Sequence, residues 1–217
     1  NLGVKFNNLF IDFPSNQLAF SANKIKIKED DFSFSLKLSD WQNVLFKNSK
    51  NLNFLGEFNF EQFNSSTWLA LVAQISETSD SSSNYNVSYK GNFNADKLNY
   101  ENATFKNVQM RDVSYQENIK IKNVSAEGQG GSYRFSKIDI NDDKEGITVN
   151  VNGEMEKVSV DKLLNEFDNF SQDFITGNQL KGELSSIFSS KVTIPNNENF
   201  DLSYMDLNAK NKYHQFK

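Results

Sequence analysis

Large apolar side chains recur at every second position along most of this chain, and no other feature constrains its fold as much. Phe32, Phe34, Leu36 and Leu38 alternate with Ser33, Ser35 and Lys37. A period of two puts the apolar side chains of an extended segment on one face and leaves the other face wet. The pattern recurs at Leu18/Phe20/Ala22, Ile25/Ile27, Phe54/Gly56/Phe58/Phe60, Tyr85/Val87/Tyr89/Gly91/Phe93, Ile119/Ile121, Tyr133/Phe135, Ile138/Ile140, Ile147/Val149/Val151 and Phe200/Leu202/Tyr204. Clusters of Asn, Asp, Ser and Gly separate these runs, as turns separate strands. Pro14 and Pro195 are the only prolines, so little interrupts sheet pairing. Short polar links favour antiparallel neighbours, because a parallel pair needs a crossover of about a dozen residues or more. A twisted sheet beyond roughly ten strands must curl, split or close. The options are a sandwich, a barrel or a curled open groove.

Composition bears on that choice. The 217 residues are 37% hydrophobic, a low fraction for a packed globule, yet 20 of them are Phe. Few large aliphatics are left to fill a second, facing sheet. This favours an apolar trough with one face open to acyl chains over an ordinary sandwich core. The net charge of −5 argues against a grip on nucleic acid. Of 23 basic residues only Arg111 and Arg134 are arginines, which leaves few carriers of bidentate phosphate or base recognition. There is no Cys, so disulfides and thiolate chemistry are excluded. No apolar run approaches the roughly 20 residues of a membrane-spanning helix. The chain starts at Asn1 and reads as a piece of a longer protein.

Two segments break the alternation. In Ser65–Ile75, Trp68, Leu71, Val72 and Ile75 stand at helical spacing, with Ser65 or Ser66 as cap. In Asp161–Phe174, Leu163, Phe167, Phe170 and Phe174 form one apolar stripe, widened by Leu164, with Asp161 as cap and Gly177 as stop. Each helix follows a Gly-Glu pair (Gly56-Glu57, Gly153-Glu154) and precedes a Lys-Gly pair (Lys90-Gly91, Lys181-Gly182). The Gly-Glu pairs lie about 97 residues apart, longer than common solenoid periods. Approximate repeat units are 1–97 and 98–217. Between the first helix and the next strand, Ser76–Asn84 is low-complexity.

The search for chemistry is mostly negative. His214, the single His, has no nucleophile pattern around it. Asp139, Asn141, Asp143 and Glu145 alternate as calcium ligands would, but the sixth position is Lys144 rather than Gly and the twelfth is Asn150 rather than Glu. A hairpin turn at Gly146 accounts for them better. Gly128–Ser132 precedes a strand, so the helix N-terminus of a phosphate cradle is missing. The Asn-x-Ser/Thr sequons at Asn64, Asn86, Asn102, Asn123 and Asn169 are expected by chance in so Asn-rich a chain. No catalytic residue, metal site or cofactor is expected.

Gly153, Met155, Val158, Val160 and Leu163 form a strand-to-helix step, and Gln179-Leu180-Lys181-Gly182 opens the next strand. Upstream, Ala126–Ser132 is a small-residue step between short strands. In these stretches the chain resembles the AsmA-like proteins of Gram-negative envelopes, especially their Bacteroidota forms, with Gln in place of the family's Asn at position 179. The resemblance covers roughly Leu98–Tyr204, and the N-terminal third in style. It implies a repeating β-groove in the periplasm, anchored in the inner membrane by a segment absent here. In that family the apolar face is thought to conduct phospholipid toward the outer membrane.

The expectation is therefore a mainly β chain: one curled antiparallel sheet, groove-like or open-barrel-like, with two short inserted helices. Its function would be a non-enzymatic lipid conduit or outer-membrane-maintenance segment with no nucleic-acid partner. Acyl chains would lie on Phe32, Phe34, Leu36, Leu38, Phe58, Phe60, Tyr85, Val87, Tyr89, Ile119, Ile121, Ile147, Val149 and Val151. Trp68, Leu71, Val72, Leu163, Phe167, Phe170 and Phe174 would cover them. The alternatives are a β-sandwich surface module that binds glycan or protein, and a structural part of an envelope complex.

Overall fold

In the computed structural model, the described residues are 8–13, 17–47, 49–70, 85–171, 176–196 and 202–214. The alternating runs form strands β1 (Asn8–Asp12), β2 (Gln17–Ile27), β3 (Asp30–Ser39), β4 (Asn51–Asn64), β5 (Asn86–Tyr100), β6 (Ala103–Tyr115), β7 (Ile119–Gly128), β8 (Gly131–Asp143), β9 (Gly146–Ser159), β10 (Glu183–Pro195) and β11 (Met205–His214). All eleven join one sheet in chain order, curled but not closed. There is no second sheet among the described residues, so the architecture is the curled groove and not the sandwich.

The sheet is not wholly antiparallel: β4 and β5 pair in parallel. The links expected to be too short for a crossover include one that is not, since residues 65–85 lie between these strands. The parallel register is also a repeat that the 97-residue comparison does not reveal. Asn51, Gly56, Phe58, Asn59 and Asn64 face Asn86, Gly91, Phe93, Asn94 and Asn99, each an identical residue. Three of these pairs are side-chain bridges from Asn Nδ2 to Asn Oδ1: Asn86 to Asn51 at 3.1 Å, and Asn94 to Asn59 and Asn99 to Asn64, both at 2.7 Å. The 97-residue pair behaves differently, for β9 and β10 are antiparallel and Gly153 faces Phe188.

Among the described residues, three α-helices interrupt the sheet rather than the two expected. Helix α1 (Trp41–Phe46) follows β3 and buries no residue. Trp41 rests against Phe13 and Phe46 (ring centroids 5.5 and 6.3 Å). Helix α2 is described over residues 65–70; the expected continuation through Leu71, Val72 and Ile75 lies outside the described residues. Helix α3 (Val160–Glu166) starts earlier and ends sooner than the spacing predicts. Ser159 takes the cap position and its hydroxyl bonds the Asp161 carboxylate in the first turn, which holds that carboxyl below its usual pKa. After Phe167, Asp168, Asn169 and Phe170 all turn left-handed, which breaks the helical stripe. Phe174 lies outside the described residues. Gly177 is not a helix stop: it packs against α3, where a side chain would collide with Asn165 and the Asp161 carbonyl. Of the predicted strand at 200–204, Phe200 lies outside the described residues, Leu202–Tyr204 forms a short 3-10 turn, and the strand begins at Met205.

At several points the alternation slips by one residue and then recovers. Lys24, Asn107, Asp112, Asn123 and Lys157 have left-handed φ between 51° and 54°, and each lies just before an apolar residue: Ile25, Val108, Val113, Val124 and Val158. The strand registers shift at these places. The extra residue is absorbed as a bulge, and the following side chain returns to the apolar face. Ile25, Val108, Val124 and Val158 are among the most buried residues of the described chain.

Parallel pairing at Gly56 and Gly91 brings the backbones close. A Cβ on Gly91 would fall on the Gly56 carbonyl oxygen, and Tyr89 lays its hydroxyl over the pair, donating to that oxygen at 3.0 Å. Burial and the charge of Glu57 push the Tyr89 hydroxyl up to about 12. Gly91→Ala should therefore destabilise the fold by about 3 kcal/mol, a fall of about 6–12 °C in melting temperature, measured by thermal denaturation.

Candidate functional site

Strand pairing carries apolar residues across the sheet in unbroken rows. The middle row begins on β1 at Leu9 and passes through Ala22, Phe34, Phe58 and Phe93. It continues through Met110, Val124, Phe135 and Gly153 to Phe188 and Ala209 on β11. No charged or hydrogen-bonding side chain enters it. A second row runs Leu18, Leu38, Phe54, Tyr89, Tyr115 and on through Ile119, Ile140, Val149, Val192 and Met205. Most of these side chains are half-buried although no second sheet covers them, as expected where a sheet curls around its own apolar face. The result is a trough rather than a sealed core.

The two inserted helices after β4 and β9 lie over the same end of the trough. Trp68 of α2 stacks on Phe63 (5.7 Å) and stands edge-on to Phe60 (5.5 Å) and Phe32 (5.4 Å), while Phe32 stacks on Phe60 (4.9 Å). Phe167, beyond α3, reaches Tyr100 (6.5 Å) and Phe105 (6.4 Å) and stacks on Phe170 (5.6 Å). Gln129 ties α3 down: it donates to Glu166 and accepts from the buried Tyr133 hydroxyl at 2.7 Å. Burial, and then the Glu166 charge, raise the Tyr133 pKa. The other end of the trough, with Tyr115, Val87 and Ile147, is exposed.

Of the groove residues expected from sequence, Phe32, Leu38 and Phe60 are buried near the ends of their strands, and Phe34, Leu36, Phe58, Tyr89, Ile119, Ile121, Val149 and Val151 line the half-buried trough. Val87 and Ile147 lie at its exposed end, and Tyr85 is exposed before β5 begins. Among the cover residues, Trp68 and Phe167 meet the trough's aromatics, Leu163 is half-buried and Phe170 is largely exposed. Sequence reasoning did not select Phe93, Met110, Val124, Phe135 or Phe188 for the groove. Met110 and Val124 flank bulges, where the period of two is lost. The polar residue with left-handed tolerance one step before Val124 is the signal that would have found it.

One charged group sits inside. Asp30 is fully buried at the covered end, where its Oδ1 accepts from the Asn64 backbone N–H at 3.0 Å and from the Asn64 side chain. Among the described residues its Oδ2 has no partner at ordinary hydrogen-bond distance. Burial raises its pKa, against the lowering effect of Asn64 and Trp68, and the Glu29 charge adds to the rise. There is no group of carboxylates and imidazoles suited to a metal among the described residues. Scans against protein-family models, curated proteins and solved structures found no match to this chain.

A folded-state carboxyl with a raised pKa binds its proton more tightly than the unfolded chain does. Its ionised form therefore costs stability above the folded pKa, and that cost disappears as pH falls through it. Asp30→Asn should unfold with a pH dependence that lacks this gain. Thermal melts from pH 7 to pH 4 should show the wild type gaining on the variant as acid is added.

Proposed function

We propose that this chain is a segment of a non-enzymatic, periplasmic lipid conduit or outer-membrane-maintenance protein that holds acyl chains in its apolar trough. The observation that carries the reading is the unbroken apolar row from Leu9 to Ala209, which crosses every strand without a polar side chain. Such a row offers a lipid tail a continuous path, and each methylene it buries is worth about 0.8 kcal/mol. A trough with few polar handles selects for acyl chains rather than for a head group. Its partners would be phospholipid and, through parts of the protein outside this chain, the inner and outer membranes. The resemblance to AsmA-like proteins points the same way.

The test is native mass spectrometry of gently purified protein. Phospholipid should co-purify with the wild type. Phe93→Glu, which puts a charge into the middle row, should lower bound lipid at least tenfold. Lys90→Glu, on the opposite face of the same strand, should leave it unchanged. A wild type that carries no phospholipid and binds no apolar dye would favour the competing reading, a surface recognition module or a structural part of an envelope complex.

A further inference from the structure

The polar face of the sheet carries a site of its own. The only two arginines of the chain, Arg111 on β6 and Arg134 on β8, line one groove of about 630 Å³ on that face. Gln109, Asn123, Ser125 and Asn152 contribute amides and a hydroxyl to it, and Glu154 contributes a carboxylate. The neighbouring register is cationic throughout: Arg111 faces Lys122, and Lys122 faces Lys137. Like charges directly opposite one another destabilise a sheet, and here three stand in line on a chain whose net charge is −5.

The acidic groups nearby only partly offset this charge. Glu154 Oε1 pairs with Arg134 Nη1 at 3.1 Å and Asp139 Oδ2 pairs with Lys137 Nζ at 2.6 Å. Arg111 has no ion pair among the described residues, and its one side-chain bond is a long donation to Gln109 Oε1 at 3.4 Å. Lys122 likewise has none.

The backbone around the groove is also unusual. The β6–β7 ladder shifts register at three places, more than any other pair in the sheet. Asn107, Asp112 and Asn123, all left-handed, lie in these two strands. Bulges of this kind re-aim side chains and concentrate beside binding sites. At the groove's edge Ile187 is 64% exposed, an apolar surface among polar groups.

We propose that this groove binds an acidic sugar chain, with its carboxylate or phosphate groups held by Arg111 and Arg134. The planar amides and guanidiniums match the paired hydroxyls of a sugar ring, and Ile187 offers a surface for the apolar face of one. Arg111, which has no ion pair among the described residues, supplies the preference for an anion, and Arg134 can exchange Glu154 for it. An acidic peptide would use the cations but leave the amides without ring hydroxyls to bond. The polar side chains of the site lie on the face opposite the trough, while Val124, Phe135, Gly153 and Phe188 of the trough's middle row also border the groove. Sugar binding is measured without lipid, so its outcome is read separately from that of the lipid test.

Isothermal titration of the full chain with an α-1,4-linked galacturonate tetramer, mannose 6-phosphate, a neutral galactose tetramer and an oligoglutamate peptide tests this. At least one acidic sugar should bind tenfold or more tighter than the neutral tetramer, and the stronger of the two identifies carboxylate or phosphate as the anionic group. Arg111→Gln and Arg134→Gln should each weaken that binding at least tenfold. Both side chains lie on the outer face and Arg134 is 62% exposed, so the variants should fold, which circular dichroism checks. The proposal is overturned if neither acidic sugar binds, if the neutral tetramer or the glutamate peptide binds as tightly, or if the double variant keeps wild-type affinity.

Discussion

Everything in this protein depends on keeping one face of a long sheet apolar across eleven strands. A strand that slips by one residue turns all its side chains to the wrong face. Perfect alternation would meet the requirement but would leave the sheet with only its ordinary twist. The chain instead slips repeatedly and repairs most slips with a left-handed polar residue before the next apolar one, as at Asn123 before Val124 and Lys157 before Val158; the slip at Ser136 is absorbed without one. Each bulge adds local twist, so the devices that preserve the apolar face also bend the sheet around it. Asn and Asp adopt the left-handed region at little cost; Lys24 and Lys157 are held there by the ladders on either side.

The parallel pair is the second organising feature. Elsewhere consecutive strands turn back on themselves, whereas after β4 the chain passes through α2 and returns to run beside β4 in the same direction. In-register parallel pairing sets like residues side by side, which suits Asn, whose amide both donates and accepts, and Gly, which lets the backbones close up. Tyr89 then fills the space above Gly56 and Gly91. The crossover also lays Trp68 over the end of the trough. Helix α3 reaches the same end by an ordinary antiparallel connection, held there by the Gln129–Glu166 and Tyr133–Gln129 bonds.

Much of this was legible in the sequence. The period of two and the shortage of large aliphatics pointed to a curled single sheet, and the helical spacing around Trp68 and Leu163 located two of the helices. The bulges were hidden because an apolar residue three positions after the last one reads as the end of a strand. The parallel pair was hidden because the helix at Ser65–Ile75 reads as an insertion and not as a crossover, and direction is a property of tertiary pairing. The repeat between Asn51–Asn64 and Asn86–Asn99 was readable at a shift of 35, but the Gly-Glu dipeptides drew the comparison to the longer spacing. Helix α1 buries nothing, so it left no apolar stripe to detect. The cationic groove lay beyond sequence reasoning, since it takes strand register to bring Arg111 on β6 and Arg134 on β8 to one groove.

If the apolar face receives lipid tails, as proposed, the polar face should not. The most direct measurement places a photo-crosslinking benzoylphenylalanine at Phe58, Tyr89 or Ile140 on one face, and at Asn59, Lys90 or Asp139 on the other. The purified protein is then irradiated with phospholipid vesicles, and adducts are read by mass spectrometry. The account predicts phospholipid adducts at the first three positions and none at the second three. Equal labelling of the two faces, or no adduct at any trough position, would contradict it.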